Sequence, residues 1–204
     1  MRFSSLGLGI SLFLGAAVSV IPQLLPGEQP AQAVQFVDGT TAFEYPPRVI
    51  AASVTNFRSR QRDSIYFFTI AHSEKAGEPL QKLMIEPRDG VRYQWPFRVE
   101  DSLAFVGTRF DRGDELAFSS VAQDVDTQVV TLVLDTPVPP GTTFTIRLRP
   151  QRTPRRGGVY LYGVTAFPAG EQGRAQFAGF GRLHFFDTDD DFRILRANRH
   201  AKYP

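Results

Sequence analysis

The chain has 204 residues, a formal net charge of +2, eighteen Phe, six Tyr and no Cys. The absence of cysteine excludes a thiol nucleophile, Cys-ligated zinc, iron–sulfur clusters and thiolate copper sites. So small a positive excess leaves no electrostatic footprint for nucleic acid, and no nucleic-acid partner is expected.

Residues 1–33 read as a secretory signal peptide. Arg2 supplies a basic start, Leu6 to Ile21 form an uncharged apolar run, and Ala31-Gln32-Ala33 is a small-x-small exit. The run falls short of the ~20 apolar residues that cross a bilayer. Cleavage after Ala33 would leave a mature chain beginning at Val34, with no transmembrane span. Its expected place is the periplasm, the cell envelope or the medium. No cysteine stands at the cut to carry a lipid anchor.

From Val34 onward, short β-branched and aromatic segments alternate with Gly, Pro, Asp and Asn clusters, the pattern of strands. Strands are expected at 49–55, 64–71, 81–86, 116–122, 128–134, 143–149, 159–167 and 181–186. Phe144, Ile146 and Leu148 alternate with Thr145, Arg147 and Arg149, which predicts a half-buried strand with a solvated outer face. Val129 to Leu134 is nearly all apolar and suits a strand covered on both sides. Asp124 to Thr127 offers side-chain acceptors for a tight turn, and the prolines of Asp135 to Thr142 predict a loop. One helical turn is expected at 101–105 and another after Asp191. The sum is an all-β chain: one immunoglobulin-like antiparallel β-sandwich of about 7–9 strands, residues 34–186, with a charged tail at 187–204.

The candidate sites are sparse. His72, His184 and His200 are far apart in sequence, which disfavours a metal site needing three or four convergent ligands. Asp187, Asp189 and Asp191 have the 1, 3, 5 spacing of a calcium loop, but Phe192 stands where that loop needs glycine, which leaves at most weak calcium candidates. Twenty of the 23 basic residues are arginine. They cluster at Arg58, Arg60 and Arg62 and again at Arg152, Arg155 and Arg156. Guanidinium forks pair bidentately with carboxylate and phosphate, so these loops are candidate anion sites for anionic polysaccharide or lipid headgroups. Glycines at 157–181 interleave with Tyr160, Tyr162, Phe167, Phe177, Phe180, Phe185 and Phe186. They suit either rings packed over bare backbone or an exposed platform for sugars. No nucleophile elbow, P-loop, dinucleotide fingerprint or zinc-protease motif is present.

Five segments carry a resemblance: Ala76–Gln81, Phe105–Arg109, Pro137–Thr142, the fourteen residues Gly157–Gly170, and Gly179–Phe185. The chain resembles the cyanobacterial secreted proteins grouped as domain of unknown function 2808. The resemblance implies export and a single all-β domain, and it carries over no catalytic residue. The expectation is a non-enzymatic envelope module without a cofactor, binding anionic polysaccharide or another envelope protein. The alternatives are a carbohydrate-active enzyme of the envelope and a periplasmic metal-binding domain.

Overall fold

In the computed structural model, residues 34–35, 39–88 and 95–187 are described. The stretch expected to be a signal peptide, with Ala31 and Ala33, and the tail with Asp189, Asp191 and His200 lie outside the described residues. Val34 opens the first strand.

Period-two alternation sets the architecture. On β10 (Thr143–Leu148), Phe144, Ile146 and Leu148 are fully buried. On β9 (Val130–Val138) the same is true of Val130, Leu132 and Leu134. Two such faces meet to make a sandwich. One sheet runs β3 (Arg48–Val54), β4 (Tyr66–Ala71), β10, β6 (Leu103–Gly107), β7 (Arg112–Leu116). The other runs β12 (Gln176–Phe185), β11 (Gly158–Pro168), β5 (Leu80–Pro87), β9, β8 (Phe118–Gln123). All the pairings are antiparallel. β1 (Val34–Gln35) and β2 (Thr41–Ala42) form a separate two-stranded ribbon, joined to the segment before β12 by the Thr41–Gly173 bridge. The immunoglobulin-like sandwich expected from the sequence is the fold observed, with ten strands in its two sheets rather than seven to nine.

The core is aromatic at its centre. The Tyr66 ring lies 5.7 Å from Phe97, 5.7 Å from Phe185 and 6.0 Å from Tyr162, and Phe68 lies 5.6 Å from Tyr162. Most of these pairs are edge-to-face, the arrangement aromatic quadrupoles favour. The hydroxyls of Tyr66 and Tyr162 bond to one another, and burial pushes both phenols well above their ordinary range. Gly181 of β12 faces this cluster across the sandwich, where a Cβ would stand 2.5 Å from Cε1 of Phe68. Bare backbone under a ring is one of the two uses expected of these glycines, and here it is realised.

Several expectations need correction. The strand expected at 116–122 is two strands broken at Ala117, because Leu116 ends β7 in one sheet and Phe118 starts β8 in the other. The helical turn expected at 101–105 is a 3-10 turn at Val99–Asp101, and Leu103–Gly107 is β6, paired with β10. The loop expected at 135–142 begins only after Val138. Pro137 is tolerated in β9 because it pairs with neither neighbour: the pairing with β8 stops at Leu134, and the register with β5 jumps from Val133 to Val138. Thr145 is not solvated: its hydroxyl bonds to Thr69 at 3.0 Å and donates to the Gly107 carbonyl at 2.8 Å. Thr131 and Val133 remain partly exposed, so β9 is covered on one face only. The Asp124 turn is as expected. Its Oδ1 accepts from the amides of Asp126 and Thr127 and from the Thr127 hydroxyl, and these bonds lower its pKa.

Candidate anion-binding groove

At one end of the sandwich three loops are laced into a single surface. Thr153 is fully buried; its Oγ1 accepts the Gln61 amide at 2.7 Å and donates to the Arg58 carbonyl at 2.7 Å. The Thr153 amide donates to the Gln61 carbonyl at 2.7 Å, and the Arg60 amide to the Pro154 carbonyl at 2.9 Å. On the other flank the Arg98 amide donates to the Arg149 carbonyl and the Gln151 amide to the Pro96 carbonyl, both at 2.8 Å. Phe97 also bridges to Pro150. The segment after β10 is thus clamped between the β3–β4 loop and the approach to β6.

This clamp brings the two arginine clusters together. It also forms an open groove of about 470 Å³ lined by Arg62, Trp95, Arg98, Glu100, Gln151 and Arg152. The guanidinium carbons of Arg152 and Arg155 lie 5.4 and 5.5 Å from the Trp95 ring centre. Those distances are within range of a cation–π attraction. Arg60 takes a left-handed backbone conformation (φ 62°), and its Nε donates to the Arg155 carbonyl at 3.2 Å. Such a φ is uncommon outside glycine and holds here because the lacing fixes both neighbours. Arg149, close by, is paired with Asp101 at 3.3 Å.

Of the arginines proposed from sequence, Arg62 and Arg152 line the groove and Arg155 stands over its tryptophan. Arg60 braces the loop. Arg58 and Arg156 are exposed beside it, contributing carbonyls to Thr153 and to the Tyr160 hydroxyl. Sequence reasoning missed Trp95 and Arg98. The available signal was that Trp95 is the chain's single tryptophan, but no local pattern ties it to residues more than fifty positions on.

The metal candidates do not come together. Asp187 gives its Oδ1 to the Gly157 amide at 2.6 Å. His184 is exposed on β12, whereas His72 is buried at the opposite end of the sandwich. Among the described residues no group of three or more His, Asp or Glu is placed to hold a metal ion, nor is there a helix long and apolar enough to cross a membrane. Of the seven aromatics at 157–186, Tyr160, Tyr162 and Phe185 are core, whereas Phe177, Phe180 and Phe186 are exposed.

His72 makes a pH prediction. Its Nε2 lies 2.9 Å from the Glu78 carbonyl and its ring meets Phe43 edge-on, while Nδ1 has no hydrogen-bond partner. Burial lowers its pKa below 6.5, so below that pH the unfolded chain takes a proton that the folded chain refuses. Stability then falls as pH drops from 6.5 towards the folded value, by at most ~1.4 kcal/mol per pH unit. Urea unfolding across pH 5–7 checks this. His72→Asn should flatten the slope and thereby separate it from Glu78, whose carboxyl burial pushes up with the opposite effect.

The family described as Protein of unknown function (DUF2808) matches residues 40–185. The chain belongs to this family. The match to DUF2808 covers β3 to β12 and the three loops of the groove. Among curated proteins none matches. Three solved structures show the range of likeness. The collagen-binding subdomain of Enterococcus faecalis surface protein ACE is 12% identical, with 69% of this chain and 98% of that one covered at a TM-score of 0.39. An uncharacterized protein from Nocardia farcinica with an immunoglobulin-like fold is 16% identical, with 67% and 98% covered at 0.36. A collagen-binding domain from a Staphylococcus aureus adhesin is 9% identical, with 60% and 87% covered at 0.34. The likeness of this DUF2808 member to all three is one of fold.

Proposed function

We propose that the protein is an exported, non-enzymatic module that binds anionic polysaccharide of the cell envelope through its arginine end. The observation that carries this reading is the lacing itself. Arg60 and Arg155 are 95 positions apart in sequence, yet hydrogen bonds centred on the buried Thr153 hold their loops as one surface around Trp95. Solvated surface charge needs no such scaffold. The groove lining has three arginines and one carboxylate, Glu100, whereas glycoside hydrolysis generally uses two carboxylates. That balance favours binding over cleavage.

The test is co-sedimentation of the purified protein with isolated envelope fractions at about 50 and 500 mM NaCl, a range over which the Debye length falls severalfold. Pelleting with one fraction at low salt, lost at high salt, is expected. Arg152→Ala together with Arg155→Ala should weaken it roughly tenfold or more, the scale of one or two charge-assisted hydrogen bonds. Pelleting unchanged in that variant would remove the groove from the reading.

A further inference from the structure

An exposed or half-exposed tryptophan in a groove invites the reading that it stacks on a sugar ring. The arrangement around Trp95 points elsewhere. Two guanidiniums, from Arg152 and Arg155, already lie over the indole at 5.4 and 5.5 Å, and a sugar stacking on a face they cover would have to displace them. A cation held on an aromatic face loses rotamer freedom but keeps its in-plane N–H donors free to point away from the ring. Guanidinium is weakly hydrated and fits this role better than ammonium. The backbone beneath is fixed from both sides, by Gln61 at Thr153 and by Pro96 at Gln151. The two forks are therefore preorganised, beside Arg62 and Arg98 in the same groove.

We infer that Trp95 is a platform that orients Arg152 and Arg155 and does not itself stack on sugar, so the groove selects its polysaccharide by closely spaced carboxylate or sulfate groups and rejects neutral glycans. This inference rests on the reading of the arginine end as a binding surface and names what that surface selects. Glu100, the single acidic side chain of the lining, sharpens the selection. It repels an anionic group placed beside it, so the negative groups must fall nearer the arginines of the lining.

Because Trp95 is the chain's only tryptophan, the protein's own fluorescence reports on this site. The experiment titrates the purified protein with two matched pairs: polygalacturonate against its methyl ester, and dextran sulfate against dextran. The charged member of each pair should change Trp95 emission and bind, and the neutral member should do neither. Binding read by co-sedimentation should fall roughly tenfold or more in Trp95→Ala, once both forks lose their platform. It should stay within roughly threefold in Trp95→Phe, which keeps an aromatic face for the cations. Thermal unfolding of both variants separates a lost platform from a lost fold. Neutral glycans that bind as well as charged ones would overturn the inference while leaving a binding module in place, and so would Trp95→Phe as damaging as Trp95→Ala. Binding to neither pair, with no pelleting on any envelope fraction, would remove the underlying reading and the inference with it.

Discussion

Replacing Gly181 with alanine is expected to lower the unfolding free energy by about 1–3 kcal/mol, the range for forcing extra volume into a packed core. The cause is steric, not conformational. Gly181 does not have the left-handed φ of Gly179 (118°), and its new Cβ would meet Cε1 and Cδ1 of Phe68 at 2.5 and 2.6 Å and Cβ of Ala52 at 3.3 Å. Phe68 cannot swing aside, because it is fully buried and its ring packs on Tyr162 at 5.6 Å. Urea unfolding reads the loss as a lower midpoint at unchanged slope. Phe68→Ala alone should cost about 3–5 kcal/mol. The double variant should lose less than the sum, since removing the ring makes room for the alanine. Additive losses would show that the two residues do not press on each other.

Thr153→Val is expected to combine a stability loss of about 2 kcal/mol with weaker envelope binding at unchanged charge. Valine has nearly the shape of threonine but leaves the Gln61 amide and the Arg58 carbonyl without the hydroxyl they share. Buried polar groups left unpaired cost about 1–3 kcal/mol. Thr153→Ser keeps the oxygen and should keep both properties. Binding by the valine variant at parental strength, despite a lower unfolding midpoint, would mean that the arginines find their ligand without the lacing.

What could be read from the sequence was what depends on near neighbours. The alternation of Phe144, Ile146 and Leu148 named the buried face of β10, and Asp124 named its own turn through bonds to residues two and three positions away. Where a distant partner decides, the reading failed. Thr145 looked solvated because its partners, Thr69 and the Gly107 carbonyl, lie 76 and 38 positions off. β6 looked helical because five residues after an acidic pair carry no strand signal until β10 lies beside them. The groove follows the same rule. Each arginine cluster was visible as a composition, but the hydroxyl that joins them belongs to a threonine that composition does not distinguish. Trp95 enters only through backbone pairing with the segment after β10.

The clasp between Phe43 and Gln176 has a consequence in time. The Phe43 amide donates to Gln176 Oε1 at 2.6 Å, and Gln176 Nε2 returns a bond to the Phe43 carbonyl at 3.0 Å, across 133 positions. β3 likewise packs against β12, near the two ends of the family match. At roughly 5–20 residues per second of synthesis, the interval between these partners leaving the ribosome is about 7 to 27 seconds. Non-local sandwiches also close slowly once complete. Throughout that interval Phe43 lacks its partner, so this edge of the sandwich is the last to close, after the pairings among β3 to β10 already have both their strands.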